Sequence, residues 1–488
     1  MSRPNILWIC TDQQRYDTLG CYGNSVVHTP NIDRLAQNGV LFTRAYSQSP
    51  ICTPSRASFM TGRYPSAHNV FRNGNDYFPP SEILVSKLFA DAGYDCGLVG
   101  KLHLSRAAGR IEKRPDDGYR FFDWSHHPYP DWEQGHAYDD WLREEKGVDP
   151  KVLYRGLGRG NYYGPGVAAE FHQTTWCAET SIRFMREKRD CPWFLNINLF
   201  DPHPPFDPPP EFLERIDKDS VPPPVFDRNA AIRRRRLQGV AQQTPIPWDP
   251  ATRKPLWTSE TTEVSSKTSV PPVNPDFAAI KACYYAMVDL IDQQVGRILH
   301  ALEESGQQNN TVVIFMSDHG EMLGDYGMLY KGCQFFDCMV RVPLILSCPG
   351  LPQKSLRSSA LVELVDLAPT LLELAGQKVP DYMQGKSLQG LLRGETDTHK
   401  SCVISQYYDT LNLPLKTHGS MCFDGRYKSI VYHDVCTGEL YDLESDPSEL
   451  YDLWEEPAAA GLRGNLLQRH LDTMMATIWA GPLRTGPY

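Results

Sequence analysis

Four short apolar runs, widely separated along the chain, each stop at a polar cluster, and this repetition restricts the fold more than any other feature. Asn5 to Thr11 runs into Asp12-Gln13, and Tyr94 to Val99 into Gly100-Lys101-Leu102-His103. Trp193 to Phe200 runs into Asp201-Pro202-His203, and Thr311 to Ser317 into Asp318-His319-Gly320. Runs this short and this apolar suit strands buried on both faces, as in a parallel sheet. In an open α/β sheet ligands bind beyond the carboxyl ends of the strands, so one fold would carry all four clusters to one place. Taken singly, each cluster reads as a turn former or a surface group. The expected class is α/β, with a large central mixed, mostly parallel sheet sandwiched by helices.

Helical signals alternate with these runs. Thr29-Pro30 with Asp33 opens one helix and Gly39 closes it; Ser81 opens another, with an apolar stripe of Ile83, Leu84, Leu88 and Phe89, ending at Gly93. Asp276 to Glu304 has helical periodicity, Val342 to Cys348 reads as a strand, and Leu361 to Ala375 reads as a helix closed by Gly376. Residues 121–176 are rich in aromatics, Pro and Gly, and are expected to form long loops over the sheet edge. Within or near them, Trp124, Trp132 and Trp141 either border a pocket or pack the loops. From about 204 to 275 the chain turns Pro-rich, a surface excursion or an arm that would join copies into a homo-oligomer. The basic run Arg233 to Arg236 inside it reads first as a solvated or salt-bridged face.

Past 385 the texture changes to short alternating segments, Val403 to Tyr407, Tyr427 to Tyr432 and Glu439 to Leu443, with a terminal helix. The expected division is a large catalytic unit, 1–385, and a small C-terminal antiparallel-sheet subdomain, 386–488. Net charge of -10 argues against a nucleic-acid partner, so an anionic substrate would need a locally positive pocket. Ile6 to Cys10 is too short for a signal or membrane segment, which sets a cytoplasmic expectation with no membrane partner. The 13 cysteines are scattered and odd in number, with no Cys-x-x-Cys pair, which fits free thiols.

The stretch Ser49-Pro50-Ile51-Cys52-Thr53-Pro54-Ser55-Arg56, continuing to Thr61-Gly62-Arg63, joins unusual chemistry to a helix start. Thr53 can cap a helix whose first residue is Pro54, and Gly62 suits its exit. Cys52 would then lie just ahead of a helix N-terminus, where free N–H groups and the dipole favour an anion. Arg56, four residues on, returns about one turn later to the same side. From these residues alone, a buried structural cysteine before a capped helix is the first reading, which the rest of the chain must overturn.

This stretch resembles the type I, formylglycine-dependent sulfatase motif, Cys-x-Pro-Ser-Arg followed by Thr-Gly, within the alkaline phosphatase superfamily. The resemblance extends to Thr11-Asp12-Gln13-Gln14-Arg15, Gly100-Lys101-Leu102-His103, Pro202-His203 with Pro205-Phe206, Ser317-Asp318-His319-Gly320-Glu321, Lys331-Gly332 and Glu439 to Leu443. It implies that a maturation enzyme oxidises Cys52 to formylglycine, and that Asp12, Gln13, Asp318, His319 and the modified Cys52 hold one divalent metal, calcium or manganese. It also implies that Arg56, Lys101, His103, His203 and Lys331 surround the sulfate, with His103 as base and His203 and Lys331 near the leaving oxygen. The activity implied is an arylsulfatase-like sulfuric ester hydrolase acting on small sulfate esters.

Two positions depart from the commonest sulfatase pattern, which has Asp where Gln13 stands and Asn where His319 stands. Gln and His resemble the branch containing phosphonate monoester hydrolases and some bacterial sulfatases, so phosphonate or phosphodiester hydrolysis is the alternative. A non-catalytic anion-binding protein with an unmodified Cys52 is a third. Lys101-x-His103 resembles sulfatases more and favours sulfate. Asn73 either forms a turn, the first reading, or reaches the pocket.

Overall fold

The computed structural model describes residues 3–107, 111–130, 135–157, 163–237, 240, 246–257, 272–351, 355–409, 417–433, 435–478 and 481. Its main sheet contains eight strands: β1 (Asn5–Thr11), β2 (Val40–Phe42), β3 (Asp95–Gly100), β4 (Phe121–Trp124), β5 (Trp193–Asn198), β6 (Thr311–Ser317), β7 (Leu344–Ser347) and β8 (Leu356–Ser358). They lie in the order β8-β2-β7-β6-β1-β5-β3-β4. Pairing is parallel except at β7, which runs against both β6 and β2. The three central strands β6, β1 and β5 are thus parallel, and their carboxyl ends share one edge.

Alternation along β1 divides the core into two layers. Leu7 and Ile9 join Leu195, Ile197, Val313 and Phe315 on one face, under α1 (Pro30–Gln37), α4 (Gln173–Arg186) and α5 (Phe277–Glu304). Ile6, Trp8 and Cys10 join Phe194, Ile314 and Met316 on the other, under α2 (Cys52–Thr61) and α6 (Leu367–Leu374). Between α1 and α4 in the chain lies α3 (Ala137–Glu144). Side chains alternate across a strand, so this division follows from strands covered on both sides. Each such side chain contributes about 1.5–3 kcal/mol by leaving water.

A second sheet is antiparallel throughout: β9 (Val403–Tyr408), β10 (His418–Phe423), β11 (Tyr427–His433) and β12 (Thr437–Asp442). The terminal helix α7 (Ala460–Thr477) packs on β11 and β10. β10 was not expected, because Gly419, Ser420 and Cys422 interrupt any apolar alternation.

Other expectations are corrected. Residues 121–176 include β4, α3 and the start of α4 rather than loops alone. Trp124 is fully buried against the His136 ring and Trp141 stacks on Tyr138, so both pack the core; Trp132 lies outside the described residues. The segment from Leu361 starts as a strand, Val362–Glu363, and becomes helical only at Leu364. Helix 85–91 begins at Val85, with Leu84 rather than Ser81 as its N-cap. The arginine run, by contrast, is salt-bridged as expected, to the small sheet: Arg234 bonds Glu439 and Tyr441, and Arg236 bonds Asp452 and the Gly438 carbonyl.

Candidate active site

α2 starts two residues earlier than the capping pattern suggests. Ile51 is the N-cap, Cys52 the first helical residue, and Pro54 lies within the first turn; Thr53 caps nothing, and its buried hydroxyl has no partner among the described residues. The Thr53 N–H is instead satisfied from outside by Asn73 Oδ1 at 2.9 Å. Gly62 closes the helix at φ 68°, as expected. Every residue of α2 is buried, and apart from Thr53 its polar side chains are tied down: Ser58 to His68, Thr61 to the Ala57 carbonyl, and Ser55 to the Asp318 carbonyl at 2.6 Å. That last bond joins the Cys52 helix directly to the end of β6.

The strand ends are laced together in the same way. Asp12 N–H donates to the Asp201 carbonyl, Asp318 N–H to the Thr11 carbonyl, and Lys101 N–H to the Asn198 carbonyl. Gly100, at φ 98°, is required here: a Cβ would stand 2.1 Å from the Asn198 carbonyl oxygen. Its turn lets the next residue, Lys101, swing over to Asp12.

The sequence-predicted residues converge on one buried cluster. Cys52 Sγ lies 3.1 Å from His319 Nε2, 3.0 Å from Lys331 Nζ and 3.5 Å from Asp12 Oδ1. Lys331 donates also to Gln13 Oε1 at 3.0 Å and His203 Nε2 at 2.8 Å, so its three N–H bonds are all used. Asp12 Oδ2 receives Lys101 and Arg56, and Asp318 Oδ2 receives Arg56 at 2.9 Å. The remaining oxygen of each carboxylate stands 3.9 Å from His319 Nε2. One oxygen of each thus meets the cations while the other turns toward Cys52 and His319.

His319 Nδ1–H donates to the Gly320 carbonyl at 2.8 Å, which fixes the tautomer and leaves the Nε2 lone pair facing Cys52. His203 Nδ1–H donates to the Pro204 carbonyl at 2.7 Å, so its Nε2 accepts from Lys331. Burial, then Lys331, pushes the His203 ring well below its ordinary value. His103 is buried and takes a left-handed conformation, φ 57°; burial and then Lys101 and Arg56 push it well down. Its buried Nδ1 has no partner among the described residues. Burial and Asp12 oppose ionisation of the Cys52 thiol, yet Lys331 and Lys101 hold it below its ordinary value. Against a burial penalty, Lys101, Arg56 and Lys331 keep Asp12 ionised. Two buried carboxylates therefore face three buried cations, a centre biased toward anions.

Two carboxylates were not singled out from the sequence. Glu112 accepts the backbone N–H groups of His103, Leu104 and Ser105 at 2.5–2.7 Å, fixing the loop that carries His103. It belongs to no motif, and nothing in its neighbourhood signals the role. Glu321 sits inside the Asp318-His319-Gly320-Glu321 stretch and accepts from Gln13 Nε2, so the motif itself held that clue. Phe200 packs on the His203 ring at 4.6 Å and lies under the Lys101 ammonium at 5.4 Å.

The sulfatase family profile matches residues 4–377. A second profile, N-sulphoglucosamine sulphohydrolase, C-terminal, matches residues 324–476. The arylsulfatase of Clostridium perfringens is 29% identical over 469 residues, covering 92% of this chain and 90% of that protein. The N-acetylglucosamine-6-O-sulfatase of Bacteroides thetaiotaomicron is 26% identical over 509 residues, covering 96% and 85%. The crystal structure of phosphonate monoester hydrolase of Agrobacterium radiobacter superposes with a TM-score of 0.79 at 28% identity, covering 98% of this chain and 96% of that one. With one family profile spanning most of its length, the chain belongs to the sulfatase family.

Proposed function

We propose that this protein hydrolyses sulfate monoesters of small molecules, using a formylglycine made from Cys52 and one divalent cation. The observation that carries the reading is the meeting of Cys52 Sγ with Lys331, His319 and Asp12 within 3.5 Å, in a buried and cationic hollow. A thiol so placed is a poor nucleophile at sulfur. Oxidation by a maturation enzyme replaces the sulfur with oxygen and turns the Cβ into an aldehyde carbon that, hydrated, carries two hydroxyls. One attacks the ester sulfur and displaces the alcohol. Deprotonation of the other then expels sulfate and restores the aldehyde, so no water needs to reach the crowded sulfur.

The residues divide this work. Arg56 and Lys101 hold Asp12 and Asp318 in place and add positive charge beside the non-bridging oxygens. His103, neutral at working pH, is the base for the second hydroxyl. Lys331 and His203, hydrogen-bonded as a pair, neutralise and protonate the leaving oxygen. In the present structure the Cys52 sulfur stands in for the hydrated aldehyde oxygens.

A divalent cation fits the donors. Ligand atoms of Asp12, Cys52, Asp318 and His319 lie within 4.8 Å of one another, with the His319 Nε2 lone pair presented to them. Two carboxylates, the Gln13 amide oxygen and one imidazole suit calcium, and the imidazole admits manganese. Such an ion supplies charge that lowers the pKa of the attacking hydroxyl.

Phosphonate monoester or phosphodiester hydrolysis is the second reading, favoured by Gln13 and His319 and by the likeness to the Agrobacterium radiobacter enzyme. Lys101 and His103 favour sulfate. On the leading reading residues 1–385 are the catalytic unit and 386–488 the small subdomain. The thirteen free cysteines accord with a reducing, cytoplasmic setting, and no described helix is long and apolar enough to cross a membrane. Initial rates on matched aryl sulfate, phosphodiester and phosphonate monoester test the assignment. Sulfate turnover equal to or above the others supports it; sulfate turnover orders of magnitude below them replaces it with the second reading.

A further inference from the structure

Gln13 is held more tightly than a metal-facing side chain at a turn would ordinarily be. It occupies the left-handed region at φ 68°, unusual for a residue with a Cβ. Its N–H donates to Asp318 Oδ1 at 3.0 Å, and its carbonyl accepts the Tyr284 hydroxyl at 2.6 Å. Its side-chain nitrogen donates to Glu321 Oε2, and its side-chain oxygen accepts from Lys331 at 3.0 Å. Glu321 is itself fully buried, and its other oxygen accepts the N–H groups of Leu323 at 3.0 Å and Tyr330 at 2.5 Å. Every partner of Glu321 is a donor, as an acceptor-only carboxylate requires.

An amide has two ends, and a cation can use only the oxygen. Lys331, on the inner side, can donate only to that oxygen, and an acceptor on the outer side that takes the nitrogen locks the amide the same way round. We propose that Glu321 is a positioning residue for the metal site: it fixes the Gln13 amide so that the oxygen faces the centre. From one residue further out, it also supplies the negative charge that an aspartate at position 13 would carry. The exchange of Asp for Gln at position 13 is then a relocation of charge rather than its loss. This inference rests on the reading of the centre as a divalent-cation site.

A charge-and-amide swap tests it on the full chain, stripped of metal and titrated with Mn²⁺ and, separately, Ca²⁺ by calorimetry. Glu321→Gln sets amide against amide and removes the charge; the expected loss of cation affinity is about 10–100-fold. Gln13→Asp sets carboxylate against carboxylate and is expected to lose a similar amount. The double variant restores one carboxylate and one amide in reversed order, and is expected within about threefold of wild type. Melting temperatures in chelator, within a few degrees of wild type for each variant, separate this from a folding defect.

Unchanged affinity in Glu321→Gln, or losses that add in the double variant, would overturn the inference while leaving the cation site in place. A wild-type chain that binds neither cation removes the site and the inference together. If a single variant does not fold, the double variant decides alone: binding within about tenfold of wild type supports the swap, and weaker binding overturns it.

Discussion

The Lys331 ammonium stands 3.0 Å from the Cys52 sulfur, although 279 positions separate the two residues in the chain. Lys331 is 7% exposed and spends all three N–H bonds on Cys52, Gln13 and His203. Burial works against its charge, but Cys52 and Asp12 hold it above the ordinary lysine value. On the proposed mechanism, a cation so placed is already aimed where negative charge develops, and needs no rearrangement during turnover.

Lys331→Ala is therefore expected to lower kcat on an aryl sulfate by about two to three orders of magnitude. The fall should be largest for esters of weakly acidic alcohols, whose leaving oxygen most needs neutralising. Steady-state rates across a series of aryl sulfates check this. A uniform fall, independent of the leaving group, would assign Lys331 to sulfate binding alone.

The small sheet is fastened to the main body by Lys428. Its ammonium, fully buried on β11, bonds Asp337 at 2.6 Å, Glu449 at 2.7 Å and the Phe335 carbonyl at 3.1 Å. Glu449 closes the group by accepting the Asp337 N–H at 2.7 Å. Lys428→Met leaves the buried Glu449 without a cation and Asp337 with Arg341 alone, and is expected to destabilise the fold by about 3–5 kcal/mol in urea unfolding. A loss under about 1 kcal/mol would mean that water reaches the group.

His68 gives the fold a pH dependence of known sign. Its Nε2 bonds Ser58 in α2 at 2.9 Å and its Nδ1 accepts the Val70 N–H at 3.0 Å, so the ring is neutral. Burial, with Arg63 adding, pushes it down to about 3 from an ordinary 6.5. The unfolded chain then takes up a proton that the native state refuses. Stability from this group is complete above the unfolded value and is lost as pH falls through it toward the folded value. Between about pH 6 and pH 4, wild type should lose up to about 1.4 kcal/mol per pH unit more than His68→Gln. Parallel urea-unfolding profiles of the two proteins would contradict it.

How much of this was legible in the sequence depended on whether a signal was local. The strands with runs of apolar residues, and the polar residues that end them, could be read because a strand buried on both faces needs an unbroken apolar stretch. Asp12, Lys101, His203 and Asp318 followed from that. The start of α2 was misread because Thr53 looks like a cap, whereas the cap bond comes from Asn73, twenty positions on. β10 was missed because its stability lies in its pairing with β9 and β11, not in its own composition. Glu112 and the Glu321 contact with Gln13 are tertiary choices, visible only once the chain has folded.

The proposed catalysis depends most on what Cys52 becomes, and the mass of its peptide from catalytically active protein is the most direct measurement. Conversion of the thiol to the aldehyde lowers the residue mass by about 18 Da, and the fraction converted should track the specific activity of the preparation. Full sulfate-ester turnover by protein whose Cys52 peptide carries an unmodified thiol would contradict it.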